Sequence, residues 1–179
     1  MRSATAALVL PIAVVIAVVV VFGYLIEPAR RLEAGAAASL LHLLGVAPKA
    51  VQVRANASIA VYPHGEAAFL AVITPSCSSL SSLLAIVGLA LFTPRRQPGR
   101  RIAALLCALV CIAAGNIVRI AASVAMGLIA GTTSLVLFHD WVGSMFAFAY
   151  TLGGYLLMLA ILLHAPATPG RAEAVIDVA

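Results

Sequence analysis

Residues 4–26 read ATAALVLPIAVVIAVVVVFGYLI. The run carries no charged side chain, and at about 1.5 Å of rise per residue a helix over it reaches across a ~30 Å hydrocarbon core. A secretory signal peptide would have a shorter apolar stretch closed by small residues, whereas this one runs into Gly23-Tyr24-Leu25-Ile26-Glu27-Pro28. The stretch therefore predicts a membrane-spanning helix. The rest of the chain agrees: 64% of its 179 residues are hydrophobic and 9% charged, with a mean hydropathy of +1.14, which is beyond the range of soluble domains.

Downstream, Glu27 to Glu33 form a charged break, and residues 34–46 are apolar but too short to cross a bilayer, which predicts an interfacial or re-entrant helix ended by Gly45 and Pro48. Residues 50–73 change character: β-branched residues alternate in Val51-Gln52-Val53-Arg54, and Pro63-His64-Gly65-Glu66 is a turn signal, so a small β-ribbon outside the membrane is expected. Thr74 suits an N-cap and Pro75 a first helical position, opening a second span through the apolar residues 80–92. The loop Thr93-Pro94-Arg95-Arg96-Gln97-Pro98-Gly99-Arg100-Arg101 has four arginines and no acid, and the positive-inside rule puts it in the cytoplasm. A third span covers residues 102–129, interrupted by Gly115, Asn116 and Arg119; Gly131-Thr132-Thr133-Ser134 reads as a loop, residues 142–163 as the last span, and residues 166–179 as a solvated tail.

The fold class expected is thus an all-α integral membrane protein with about four transmembrane helices, a short interfacial helix and a small extracytoplasmic β-ribbon. Both termini lie inside. Arg30, Arg31, Lys49 and Arg54 fall outside, in a longer segment that also holds Glu27, Glu33 and Glu66. No repeat divides the chain, so residues 1–179 form one membrane domain, with 1–33 as first span and break, 34–155 as core, and 156–179 as helix end and tail. The net charge of +5 and pI of about 9.6 do not point to nucleic acid, because the basic residues flank apolar spans without an aromatic-basic surface.

Three residues converge on one side of the membrane in this topology. Cys77 starts the second helix among Ser76, Ser78, Ser79, Ser81 and Ser82, where helix amides favour a thiolate. Arg119 lies about 25 Å up the third helix, matching the ~22 Å height of Cys77 above Phe92. A charge in an apolar helix is a functional candidate by default, the alternative being an arginine that snorkels to lipid phosphate. His139, in Phe138-His139-Asp140-Trp141, precedes the last span on the same side; Asp140 either orients it or bonds the turn. Cys107 and Cys111, within an apolar helix, read as small hydrophobes, and His42, His64 and His164 carry no evident role. The cysteines show neither metal-ligand spacing nor a disulfide framework, and no cofactor is expected. The trio suits acyl transfer: a thiolate attacks, an imidazole protonates the leaving amine, and a guanidinium steadies the oxyanion.

Pro75-Ser76-Cys77-Ser78-Ser79-Leu80, Asn116-Ile117-Val118-Arg119-Ile120 and His139-Asp140-Trp141-Val142-Gly143, in that order and with the basic loop after the first, resemble the exosortase/archaeosortase family of membrane cysteine transpeptidases over residues 34–155. Ser79 stands where that family often has glycine, and many members have more spans, so the chain resembles a minimal member. The resemblance implies catalytic roles for Cys77, Arg119 and His139. It also implies a cytoplasmic-membrane enzyme whose site faces the periplasm or exterior. Its partners would be membrane lipid and exported proteins ending in a short motif, a membrane helix and a basic tail, with no nucleic acid. The competing reading is a non-catalytic scaffold or transporter subunit whose Arg119 binds lipid phosphate. Thiol-disulfide exchange fits less well, since it generally needs a second cysteine on the same side.

Overall fold

A computed structural model describes residues 4–65, 67–92 and 98–164 of the chain. Most of the arginine-rich loop, Glu66 and the tail expected over 166–179 lie outside the described residues. The described part is mostly helical with one small sheet.

Helix α1 runs unbroken from Ala4–Leu43, so the charged break expected at residues 27–33 does not end it and no separate interfacial helix follows. Charges interrupt hydropathy but not helical hydrogen bonding, and Glu27 adds ion pairs one turn on, to Arg30 at 2.9 Å and Arg31 at 3.0 Å. Past this point Ala34, Ala37, Ala38 and Leu41 are buried at helical spacing, which turns one stripe of α1 into core. The helix closes in a Schellman arrangement, with Val46 N–H donating to Leu41 O and Gly45 N–H to His42 O, both at 3.0 Å, and Gly45 at φ +93°.

Three strands follow, one more than a ribbon needs: β1 (Val51–Arg54), β2 (Ser58–Val61) and β3 (Phe69–Val72), antiparallel in the order β1-β2-β3. Val51 pairs with Val61, and Ser58 with Val72. The central strand is buried throughout. The chain then makes a 3₁₀ turn at Pro75–Cys77 before α2 (Leu80–Phe92). Cys77 therefore precedes α2 and does not sit in its first turn, and the helical part of the second span is shorter than expected.

Helix α3 (Pro98–Leu137) contains a reversal at Ala130 and Gly131, the latter at φ 76°, ψ −177°, a conformation open essentially to glycine. The loop expected over 131–134 is compressed to this point. Beyond it the chain stays helical through a π turn at Phe138–Val142 and into α4 (Gly143–Leu163). The two arms lie antiparallel, as Arg100 Nε donating to Ile161 O at 2.7 Å requires. Their approach is close at Gly154, where a Cβ would meet Ile112 at 2.7 Å, and at Gly115, where it would meet the Tyr150 ring at 2.6 Å.

Two apolar clusters flank the middle of α3. One joins Ile86, Ala104, Ala108, Ile112 and Met158 of α2, α3 and α4; the other joins the alanine stripe of α1 to Val51, Ile59, Val61, Ile73 and the Ile120–Val124 region. Asn116 and Arg119 lie between them. The helical stretch Gly99–Leu163 is long and apolar enough to cross a membrane, with a mean hydropathy of 2.2 in its best window, and only 22% of that window is buried by protein. Its remaining apolar surface calls for a non-aqueous neighbour.

Candidate active site

The three residues expected from the sequence meet. Sγ of Cys77 lies 3.0 Å from Nε2 of His139, and Nη2 of Arg119 lies 3.1 Å from the same nitrogen. Cys77 and Arg119 are 8% and 7% exposed, so the contact is largely screened from bulk solvent. Arg119 thus faces inward rather than toward lipid. It also reaches the Cys77 carbonyl at 3.5 Å and Asn116 Oδ1 at 3.4 Å, both long, which leaves the histidine as its firmest partner.

Asp140 resolves the choice the sequence left open, since its Oδ1 is 3.0 Å from Nδ1 of His139. A carboxylate accepts only, so Nδ1 carries a proton in this contact, and in the neutral ring Nε2 is left with its lone pair toward the thiol and guanidinium. His139 and Asp140 lie in the π turn Phe138–Val142, a widened helical turn of the kind frequent at functional sites, and Gly143 follows it close to the arginine: a Cβ there would stand 3.1 Å from Arg119 Nε. Asn116 is fully buried, and its Oδ1 also accepts from the Tyr150 hydroxyl at 3.0 Å. Arg119 Nε and Asn116 Nδ2 are buried without a partner among the described residues, so the site retains unused donors.

Several residues that position the thiol were not legible in the sequence. Thr74, expected as an N-cap, makes no side-chain cap; its Oγ1 instead lies 3.0 Å from Cys77 Sγ. Glu33, expected within the charged break, is buried, and its Oε1 accepts from both the amide (2.8 Å) and the hydroxyl (2.6 Å) of Ser79. One turn earlier, Arg30 Nε donates to the carbonyl of Ile73. Helix α1 thereby grips the Cys77 turn from both ends. The i, i+3 spacing of Arg30 and Glu33 is the sequence signal for this, visible only once α1 is known to continue. Cys107 and Cys111 lie away from the site on α3, exposed and half-buried respectively rather than in its core.

A cavity of about 300 Å³ opens from Cys77 and His139 along β3. It is lined as well by Thr132, Leu135, Val136 and Asp140 and by Ile120 and Val124 of α3. Its walls are chiefly apolar.

No curated protein and no solved structure matches the chain. Among protein families, residues 2–161 match the one described as Transmembrane exosortase (Exosortase_EpsH).

Proposed function

The chain belongs to the transmembrane exosortase family, and on that premise we propose that it is a membrane-embedded cysteine peptidase or transpeptidase. Its substrates are exported proteins bearing a C-terminal sorting signal of short motif, apolar helix and basic tail. The carrying observation is the 3.0 Å contact between Cys77 Sγ and His139 Nε2, made across 62 residues of sequence with Arg119 against the same nitrogen.

In this reading Sγ–H gives its proton to Nε2 of His139 while Asp140 holds Nδ1–H, and the thiolate attacks the scissile carbonyl carbon. The carbonyl oxygen becomes an oxyanion beside Arg119, whose guanidinium turns from Nε2 once that nitrogen is protonated and meets the new charge. Collapse breaks the C–N bond, the leaving amine takes the proton from His139, and the acyl part stays on Cys77 as a thioester. Water or another nucleophile then attacks the thioester, loses its proton to His139, and restores the thiol.

The site lies at the outer face of the cytoplasmic membrane. From Arg101 to Arg119 is about 27 Å along α3, close to the thickness of a hydrocarbon core, and the arginine-rich loop marks the cytoplasmic end. The first part of α1, α2, α3 and α4 make four passes. Because α2 spans only about 20 Å, the Cys77 turn sinks into the outer leaflet, where a substrate's own membrane helix delivers its peptide.

The test expresses the chain with a secreted reporter whose C-terminus is a motif, apolar helix and arginine cluster taken from the same genome. Cys77-dependent shortening of the reporter is expected, with near-complete loss in His139→Ala and a strong loss in Arg119→Lys, which keeps charge but not the planar fork. Full processing by Cys77→Ala would sink the reading.

A further inference from the structure

Strand β3 ends the sheet, and the phase of its hydrogen bonds decides which backbone groups it leaves free. Tyr62 N–H donates to Ala50 O at 2.9 Å, and Ile73 N–H to Ala57 O at 3.0 Å. Antiparallel pairs alternate between bonded and non-bonded, so with the observed register Ser58 and Ala60 turn their backbone groups to β1, and Ile59 and Val61 turn theirs to β3. On β3, Phe69 and Ala71 therefore face β2, while the N–H and C=O of Leu70 and Val72 point away from the sheet. No backbone partner meets them among the described residues.

Open edges are normally blunted by a charge, a proline, a bulge or a covering segment. Phe69-Leu70-Ala71-Val72 has no charge and no proline, and its Leu70 and Val72 side chains are exposed. The edge also borders a cavity. All four residues line it, and it continues past Ile73 and Thr74 to Cys77.

We propose that this edge is the docking site for an extended stretch of substrate polypeptide, which adds to the sheet as a fourth strand and is led along it to the Cys77 thiol. The proposal rests on the peptidase reading for the identity of the partner. The occupant is the segment preceding the scissile bond. β3 runs toward the thiol from the sheet, so a strand following it in parallel brings its N-terminal side from the exported domain and its C-terminal side to the membrane, where the substrate's apolar helix must go. Main-chain bonds to Leu70 and Val72 supply register without regard to sequence, and the cavity's apolar walls select small or apolar side chains.

Two measurements test this with the reporter described above. First, p-benzoylphenylalanine replaces Leu70 in a Cys77→Ala chain, and native membranes are irradiated. A crosslink to reporter residues just before the apolar helix is expected; no crosslink, or one confined to the apolar helix, overturns strand docking. Second, Leu70→Pro and Val72→Pro each remove one outward donor without touching the β2 ladder. Each should slow processing about tenfold, as loss of one backbone hydrogen bond implies, while alkylation of Cys77 keeps its rate and so reports an intact fold. Unchanged processing overturns the proposal. If the reporter stays uncut by the native chain, the peptidase reading fails on its own, and the crosslink still decides the edge, its presence supporting docking and its absence refuting it.

Discussion

Replacing Glu33 by alanine removes the single oxygen that accepts from both the amide and the hydroxyl of Ser79, at 2.8 and 2.6 Å. Ser79 is 3% exposed, so neither donor finds water in exchange. A buried unsatisfied group costs about 1–3 kcal/mol. Two of them, less the relief of no longer burying a carboxylate, come to roughly 3 kcal/mol. For a chain of this size that corresponds to a fall of about 6–12 °C in thermal midpoint, measured by circular dichroism in detergent micelles. Glu33→Gln keeps an acceptor for Ser79 and should lose about half as much. The control is Glu27→Ala on the same helix: it removes equal charge, but its ion pairs lie on a partly exposed surface and contribute below about 1 kcal/mol. Equal midpoints for Glu33→Ala and Glu27→Ala would refute the argument that α1 clamps the Cys77 turn through Glu33.

Asp140→Asn leaves His139 without a charged partner at Nδ1, and reporter processing should slow about tenfold, less than the near-abolition expected for His139→Ala; an unchanged rate would mean that Asp140 serves the turn alone. Cys107→Ala and Cys111→Ala should process the reporter at the native rate, since both thiols lie off the site; a loss comparable with Cys77→Ser would implicate α3's outer face. Gly131→Ala forces a side chain into a conformation that costs about 1–3 kcal/mol, and should lower the thermal midpoint where substitution of the half-buried Ser134 does not. A cysteine placed at Thr132 should be labelled by an impermeant reagent in intact spheroplasts, and one at Gln97 only after the membrane is opened; equal labelling would overturn the four-pass arrangement.

What the sequence disclosed follows from the range of the forces involved. That Cys77, Arg119 and His139 meet was legible because a charge in an apolar helix and a thiol in a serine-rich turn are anomalous where they stand, and the expected spans put them at similar heights. The strands and the reversal near Gly131 rest on local signals of alternation and glycine, and both occur. The continuity of α1 was not legible, since a charged cluster ends an apolar run but not the hydrogen bonding of a helix. With a break placed at Glu27, Arg30 and Glu33 fall in a charged segment between two apolar runs. Their bonds to Ile73 and Ser79 span more than forty residues, and no local pattern encodes them. The π turn is likewise invisible in composition: Phe138–Val142 would serve equally in a regular helix.

The unbroken course of α1 makes it a lever. In the proposed arrangement its fulcrum is the bilayer midplane near Val15, and Glu33 sits about 27 Å along the arm. A tilt of 10° about that fulcrum would carry the Glu33 carboxylate nearly 5 Å, far beyond what a hydrogen bond tolerates. Helices change tilt when bilayer thickness changes. In that arrangement the posture of the Cys77 turn would be mechanically coupled to the membrane in which the chain is seated, and processing in thin and thick lipid bilayers would differ for a reason located tens of ångströms from the thiol.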